Sequence, residues 1–218
     1  RSSRARISFN ISGITETVTA TVRAGIICNG SAANTSYIFS IPEDITVPVV
    51  DGVAVFDNIE IYEGTLINQN FTVNTSQFNQ RYILSNSFID TSTIRVKVKP
   101  DESSSSTVTY QQIDNIVGVT STSSSYLLQE IEDERYELIF GDNVIGKKLS
   151  NDNYITVSYI ITSGKDGNGA SEFSFIGNII DQDGATIDAS NFSLVTTEES
   201  SRDGDEIESI SSIKYYAP

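Results

Sequence analysis

The sequence predicts a mainly β protein: two small β-rich, sandwich-like units and one short amphipathic helix near the C-terminus. Three observations predict it. Apolar residues alternate with polar ones in short runs along most of the chain, which is the period of a half-buried strand. Gly, Asp, Asn and Ser separate the runs, and only the last stretch changes to a spacing of three. With 218 residues the chain can bury one full core or two small ones.

Taken in order, Ile7, Phe9 and Ile11 share one face of a first strand, and Val18, Ala20 and Val22 share a face of a second. Short strands follow at Tyr37 to Ile41, Val47 to Val50, Val53 to Phe56 and Ile59 to Tyr62. Asp51-Gly52 joins the middle pair as a tight hairpin, since both residues tolerate positive φ. Pro42 and Pro48 are expected at strand ends or edges. Residues 64–87 are rich in Asn, Gln, Ser and Thr and read as one or two strands and a boundary. Ile94, Val96 and Val98 then alternate with Arg95, Lys97 and Lys99, a strand with a basic face.

The serine-rich stretches Ser103–Ser106 and Ser121–Ser125 read as solvated connectors. Residues 126–135 allow a short helix or a hairpin, and the hairpin is preferred. Tyr136, Leu138 and Phe140, then Ile155, Val157, Tyr159 and Ile161, read as a strand pair bracketing the polar tip GDNVIGKKLSNDN, followed by the turn GKDGNG. Phe173 and Phe175 begin a further strand. Ile207, Ile210 and Ile213 form the stripe of the terminal helix, with acidic residues before it and Lys214 at its end. That stripe, with Tyr215 and Tyr216, is the candidate interface.

Charge and composition exclude several functions. Fourteen basic and 29 acidic residues leave a net charge of −15, which repels nucleic acid and anionic membranes. No apolar run has the length of a membrane-spanning helix. The absence of histidine removes Ser-His, Cys-His and His-metal chemistry. Cys28 is the single cysteine, so it cannot form an intramolecular disulfide, and it reads as a small buried hydrophobe. Glu130, Glu132, Asp133, Glu134 and Glu137 could supply a carboxylate pair but read more simply as a hairpin turn. Asp181, Asp183 and Gly184 match part of a calcium loop without its later ligands, so a turn is expected. No catalytic residue, metal or cofactor is expected. The chain has no methionine and stops in mid-pattern, as a piece of a longer protein would.

The run Phe140, Gly141, Asp142 and Gly146, then a strand, then Gly167, Asn168 and Gly169, resembles the FGDG-x-x-G motif and GNG-type turn of the baseplate J-like family. These are wedge proteins of contractile-tailed phages. Asn143 stands where that pattern has glycine, and Ala24-Gly25-Ile26 departs from the family's AGT turn. The terminal helix leading into Ala217 and Pro218 is similar to a third segment of the family. The resemblance implies a non-enzymatic structural subunit of the virion tail baseplate, made in the host cytoplasm. Its partners would be its own copies and other wedge proteins, and it would rearrange when the sheath contracts. The quoted motif residues would be scaffold residues. The expected division is 1–88, an inserted unit at 89–165, and returning strands with the helix at 166–218. Whether those strands complete the first unit stays open. The other open reading is a carbohydrate-binding or adhesin-like domain, with Tyr37, Tyr62, Tyr126, Tyr154 and Tyr159 as stacking platforms.

Overall fold

A computed structural model describes residues 1–188 and 192–205. The chain is mainly β. It begins with β1 (Arg4–Ser12), β2 (Thr19–Val22), β3 (Gly25–Ala32), β4 (Thr35–Ile41), β5 (Ile45–Val50) and β6 (Val53–Glu63). It continues through β7 (Thr65–Thr72), β8 (Tyr82–Ile83), β9 (Ile89–Lys99), β10 (Val108–Gln112), β11 (Ser125–Ile131), β12 (Arg135–Phe140) and β13 (Tyr154–Ile161). It ends in β14 (Glu172–Phe175), β15 (Ile179–Ile180) and β16 (Thr196–Arg202). Two compact units result. One combines residues 1–66 with the described residues from 160 onward, and the other is Ile67–Tyr159. The helix expected at 207–213, with Ile207, Ile210, Ile213, Tyr215 and Tyr216, lies outside the described residues.

In the first unit, β2–β3 and β4–β5 make one long hairpin with a bend in each arm. Val22 pairs with Ile45 below the bend and Gly25 with Ile41 above it. Asp51 and Gly52 turn the chain with φ of 50° and 75°, as a two-residue hairpin requires. β6 then runs back along both segments, Val53 opposite Val50 and Tyr62 opposite Ser40. β1 covers the other edge of β6, and β16 covers β1. At the far side β14 and β15 line β3 and β2. Ser201 of β16 bonds to the residues leading into β14, its N–H to the Ala170 carbonyl at 2.8 Å and its carbonyl from the Gly169 N–H at 2.7 Å. The sheet thus curls nearly into a barrel, and strands 166–203 share it with β1–β6.

The barrel interior follows from the alternation. Ile7, Phe9 and Ile11 are buried from β1, Phe39 and Ile41 from β4, and Ala54 and Phe56 from β6. The Phe9 ring is the hub, stacked on Phe56 at 4.9 Å and Phe192 at 4.8 Å and tilted against Phe175 at 4.9 Å. Pro48 stands inside β5, opposite Thr19, where the other side of the strand is locally an open edge, as expected. The ladder between β5 and β6 covers only Val49 and Val50. Hydrogen bonds alternate along an antiparallel pair, and the Val49 N–H already reaches back to Val18. The nitrogen of Pro48 therefore faces the side where β6 has parted from β5, and no ladder bond is lost.

The second unit is one sheet in the order β7-β13-β9-β10-β11-β12-β8. Two expectations change here. The strands ending at Phe140 and starting at Tyr154 do not pair with each other: β12 lies between β11 and β8, and β13 between β7 and β9. The polar stretch 64–87 does supply two strands, both outer ones, and the buried Val73 and Leu84, but the boundary expected at its end is not there. The observed division therefore falls at 66/67 and 159/160, not at 88/89 and 165/166. The hairpin at 126–135 does form, with Tyr126 opposite Phe140 and Ile131 opposite Arg135.

Candidate functional site

The FGD-x-x-x-G motif leaves the end of β12. Its first residue is an anchor: the Phe140 ring meets Tyr82 and Tyr110 edge to face at 5.3 and 5.6 Å and Tyr126 at 6.2 Å. Gly141 follows because its backbone lies against that of Gly146, with no room for a Cβ. Asp142 closes the turn on itself. One carboxylate oxygen accepts the Ile145 and Val144 N–H groups, both at 2.9 Å, and those two bonds hold the carboxyl below its ordinary pKa. Asn143, at φ 72°, takes the left-handed conformation that asparagine tolerates, and its side-chain oxygen accepts the Lys148 N–H at 2.9 Å. Gly146 has φ 80°.

This loop is docked, not free. The Gly146 N–H donates to the Thr120 carbonyl at 3.0 Å and the Lys147 N–H to the Ser123 carbonyl at 2.8 Å. The stretch Ser121–Ser125 is therefore the bed of the motif and not a solvated connector, and Ser125 is buried at the start of β11. Low apolar content hid this, because the stretch packs through its backbone. Val144, 74% exposed, and Ile145, 41% exposed, face solvent at the loop apex beside the exposed Asp142 and Asn143.

Gly167, Asn168 and Gly169 belong to the first unit, in and just after a short 3-10 turn at Gly164–Gly167. Gly167 packs on the Glu63 side chain. The Asn168 side-chain oxygen accepts from the Ser3 hydroxyl at 2.8 Å and the Gly204 N–H at 2.9 Å, and its amide donates to the Gly204 carbonyl at 3.0 Å. Gly169 has φ 89°. Beside this knot Glu63 accepts the Thr162 hydroxyl at 2.6 Å and the Ser163 N–H at 2.9 Å, and the Ser201 hydroxyl bonds to Gly167 and Ala170. Ser3, Glu63, Thr162 and Ser201 were not singled out from the sequence. One signal was present: Glu63 continues the core-facing parity of Ile59 and Ile61, so an acid stood on an apolar face.

The remaining candidates are structural in geometry. Glu130, Glu132, Asp133 and Glu134 are exposed around the β11–β12 turn, where Asp133 and Glu134 have φ of 63° and 56°. Glu137 forms a two-pronged pair with Arg81, at 2.9 and 2.5 Å, and that guanidinium holds its carboxyl below the usual range. Asp181 accepts the Asp183 and Ala185 N–H groups at 2.9 and 2.8 Å, which makes DxDG a turn. Among the described residues no three Asp, Glu or Cys side chains converge on a metal position, and no helix is long and apolar enough to cross a membrane. Burial pushes the Cys28 thiol up to about 12. Tyr126 and Tyr159 are buried in the second unit, whereas Tyr37 and Tyr62 are half-buried in the first, so the five tyrosines do not make one open platform. No protein-family model and no curated protein sequence matches the chain.

Proposed function

We propose that this chain is part of a structural subunit of the baseplate wedge in a contractile phage tail. It joins its own copies and other wedge proteins in the ring around the tail tube, and it moves as a rigid part when the sheath contracts. The order of its motifs, FGD-x-x-x-G before GNG, carries the proposal through the family resemblance. The observation that supports it is the construction of the first motif. Phe140, Gly141, Asp142, Asn143 and Gly146 all satisfy neighbours within their own unit. Groups used in this way stiffen a loop and present its apex; they do not wait for a substrate. A part that transmits force between neighbours needs that stiffness. The carbohydrate-binding alternative loses its footing with the dispersed tyrosines.

The test is electron microscopy of tails labelled with an antibody against this chain. Label at the baseplate in extended and contracted particles is expected. Label on fibres or none on tails would overturn the proposal.

A further inference from the structure

β9 carries Arg95, Lys97 and Lys99 on the face opposite the buried Ile94, Val96 and Val98. The strands on either side, β10 and β13, contain no charged residue, so no carboxylate on them neutralises that face. Thr109 lies opposite Lys97, and Lys97 is exposed. The Arg95 guanidinium donates to the Ser92 and Ile94 carbonyls at 3.1 and 3.0 Å, and Lys99 lies near Asp101 just beyond the strand. A cationic sheet face is conspicuous on a chain with a net charge of −15.

The complementary surface is on the same unit. The β11–β12 turn exposes Glu130, Glu132, Asp133 and Glu134, and Arg135 pairs with Asp133 at 3.4 Å. Strand directions keep the two surfaces apart. β10 is antiparallel to β9 and β11 is parallel to β10, so the acidic turn lies at the end of the sheet where β9 begins. Lys97 and Lys99 lie where β9 finishes. One copy cannot bring these ends together, but two copies in line can.

We propose that the outer face of β9 receives the β11–β12 turn of a second copy. The inference rests on the self-association in the reading above and names its surfaces. Because the two surfaces differ, the contact is head-to-tail and propagates into a ring or an open filament. Exposed ion pairs contribute little each, so association is weak and concentration-dependent. Salt screens over about 8 Å under physiological conditions, which mutes repulsion between distant charges of the two copies more than attraction at the contact.

Sedimentation of the chain over rising concentration tests this, with Lys97→Glu/Lys99→Glu and Glu132→Lys/Glu134→Lys as variants, each checked for native melting. Expected are self-association of the unaltered chain that weakens with added salt, a loss of about tenfold or more in either variant, and recovery when the two variants are mixed. A monomer at every concentration, an association that salt strengthens, no loss in either variant, or no recovery on mixing each overturns the proposal. If the chain still joins a complex with neighbouring tail proteins in those cases, the wedge reading stands and only this surface assignment falls.

Discussion

Gly141 and Gly146 lie backbone against backbone, and a Cβ on Gly141 would overlap the Gly146 carbonyl. The motif therefore needs its first glycine for space, whereas Gly146 is needed for its positive φ. Gly141→Ala should destabilise the second unit by about 1–3 kcal/mol, the usual cost of forcing atoms into a packed site. Urea unfolding followed by Tyr fluorescence measures it; an unchanged midpoint would show that the loop can shift to accept a methyl group.

Asp142 ties the same loop by accepting two N–H groups with one oxygen. Asp142→Asn keeps an acceptor and should melt close to the unaltered chain, whereas Asp142→Ala should melt lower by about 2–5 °C. Its pKa is depressed in the fold, so its contribution is present above the ordinary carboxyl value of 3.8 and is lost as pH falls through the folded value. As pH falls through that value the unaltered chain should lose part of its margin over both variants, while the gap between Asp142→Asn and Asp142→Ala stays the same; a margin that does not change with pH would contradict the carboxylate's role.

Glu63 is a buried acid with two donors aimed at it, from Thr162 and Ser163. Glu63→Ala leaves both unsatisfied and should cost about 2–5 kcal/mol, while Glu63→Gln retains an acceptor and should cost about half as much or less. Chemical denaturation of both variants decides this, and equal losses would mean that packing against Gly167, not hydrogen bonding, is what Glu63 provides.

The Cys28 thiol ionises near 9 in an unfolded chain and near 12 in the fold. Between those values the unfolded chain binds fewer protons, so stability falls as pH rises. The stability difference between the native protein and Cys28→Ala should be constant below about pH 9 and shrink above it, by up to about 3–4 kcal/mol near pH 12. A constant difference up to pH 11 would mean that the thiol is reached by solvent.

Much of the fold was legible because alternation assigns faces. The buried parities of β1, β4 and β9, and of β13 as far as Tyr159, were written in the apolar pattern, and Asp51-Gly52 announced its turn; that Val53–Phe56 and Ile59–Tyr62 are one strand with a parity switch between them, and that Ile160 rather than Ile161 is buried, were not. Alternation does not assign partners: nothing local in Tyr136–Phe140 or Ile155–Ile161 says that each pairs elsewhere. The bend that lets β6 pair with both β4 and β5 is likewise a property of the closed sheet and not of any one segment. The FGD-x-x-x-G loop was legible through its glycines. Its bed at Thr120–Ser123 was not, because those contacts are made by carbonyl groups that every residue carries.

The most direct test of the central claim is the solution mass, by light scattering, of the protein expressed alone and then with the products of its neighbouring genes. A wedge subunit predicts a discrete higher-order complex that survives dilution. A monomer that ignores every neighbour would contradict the account.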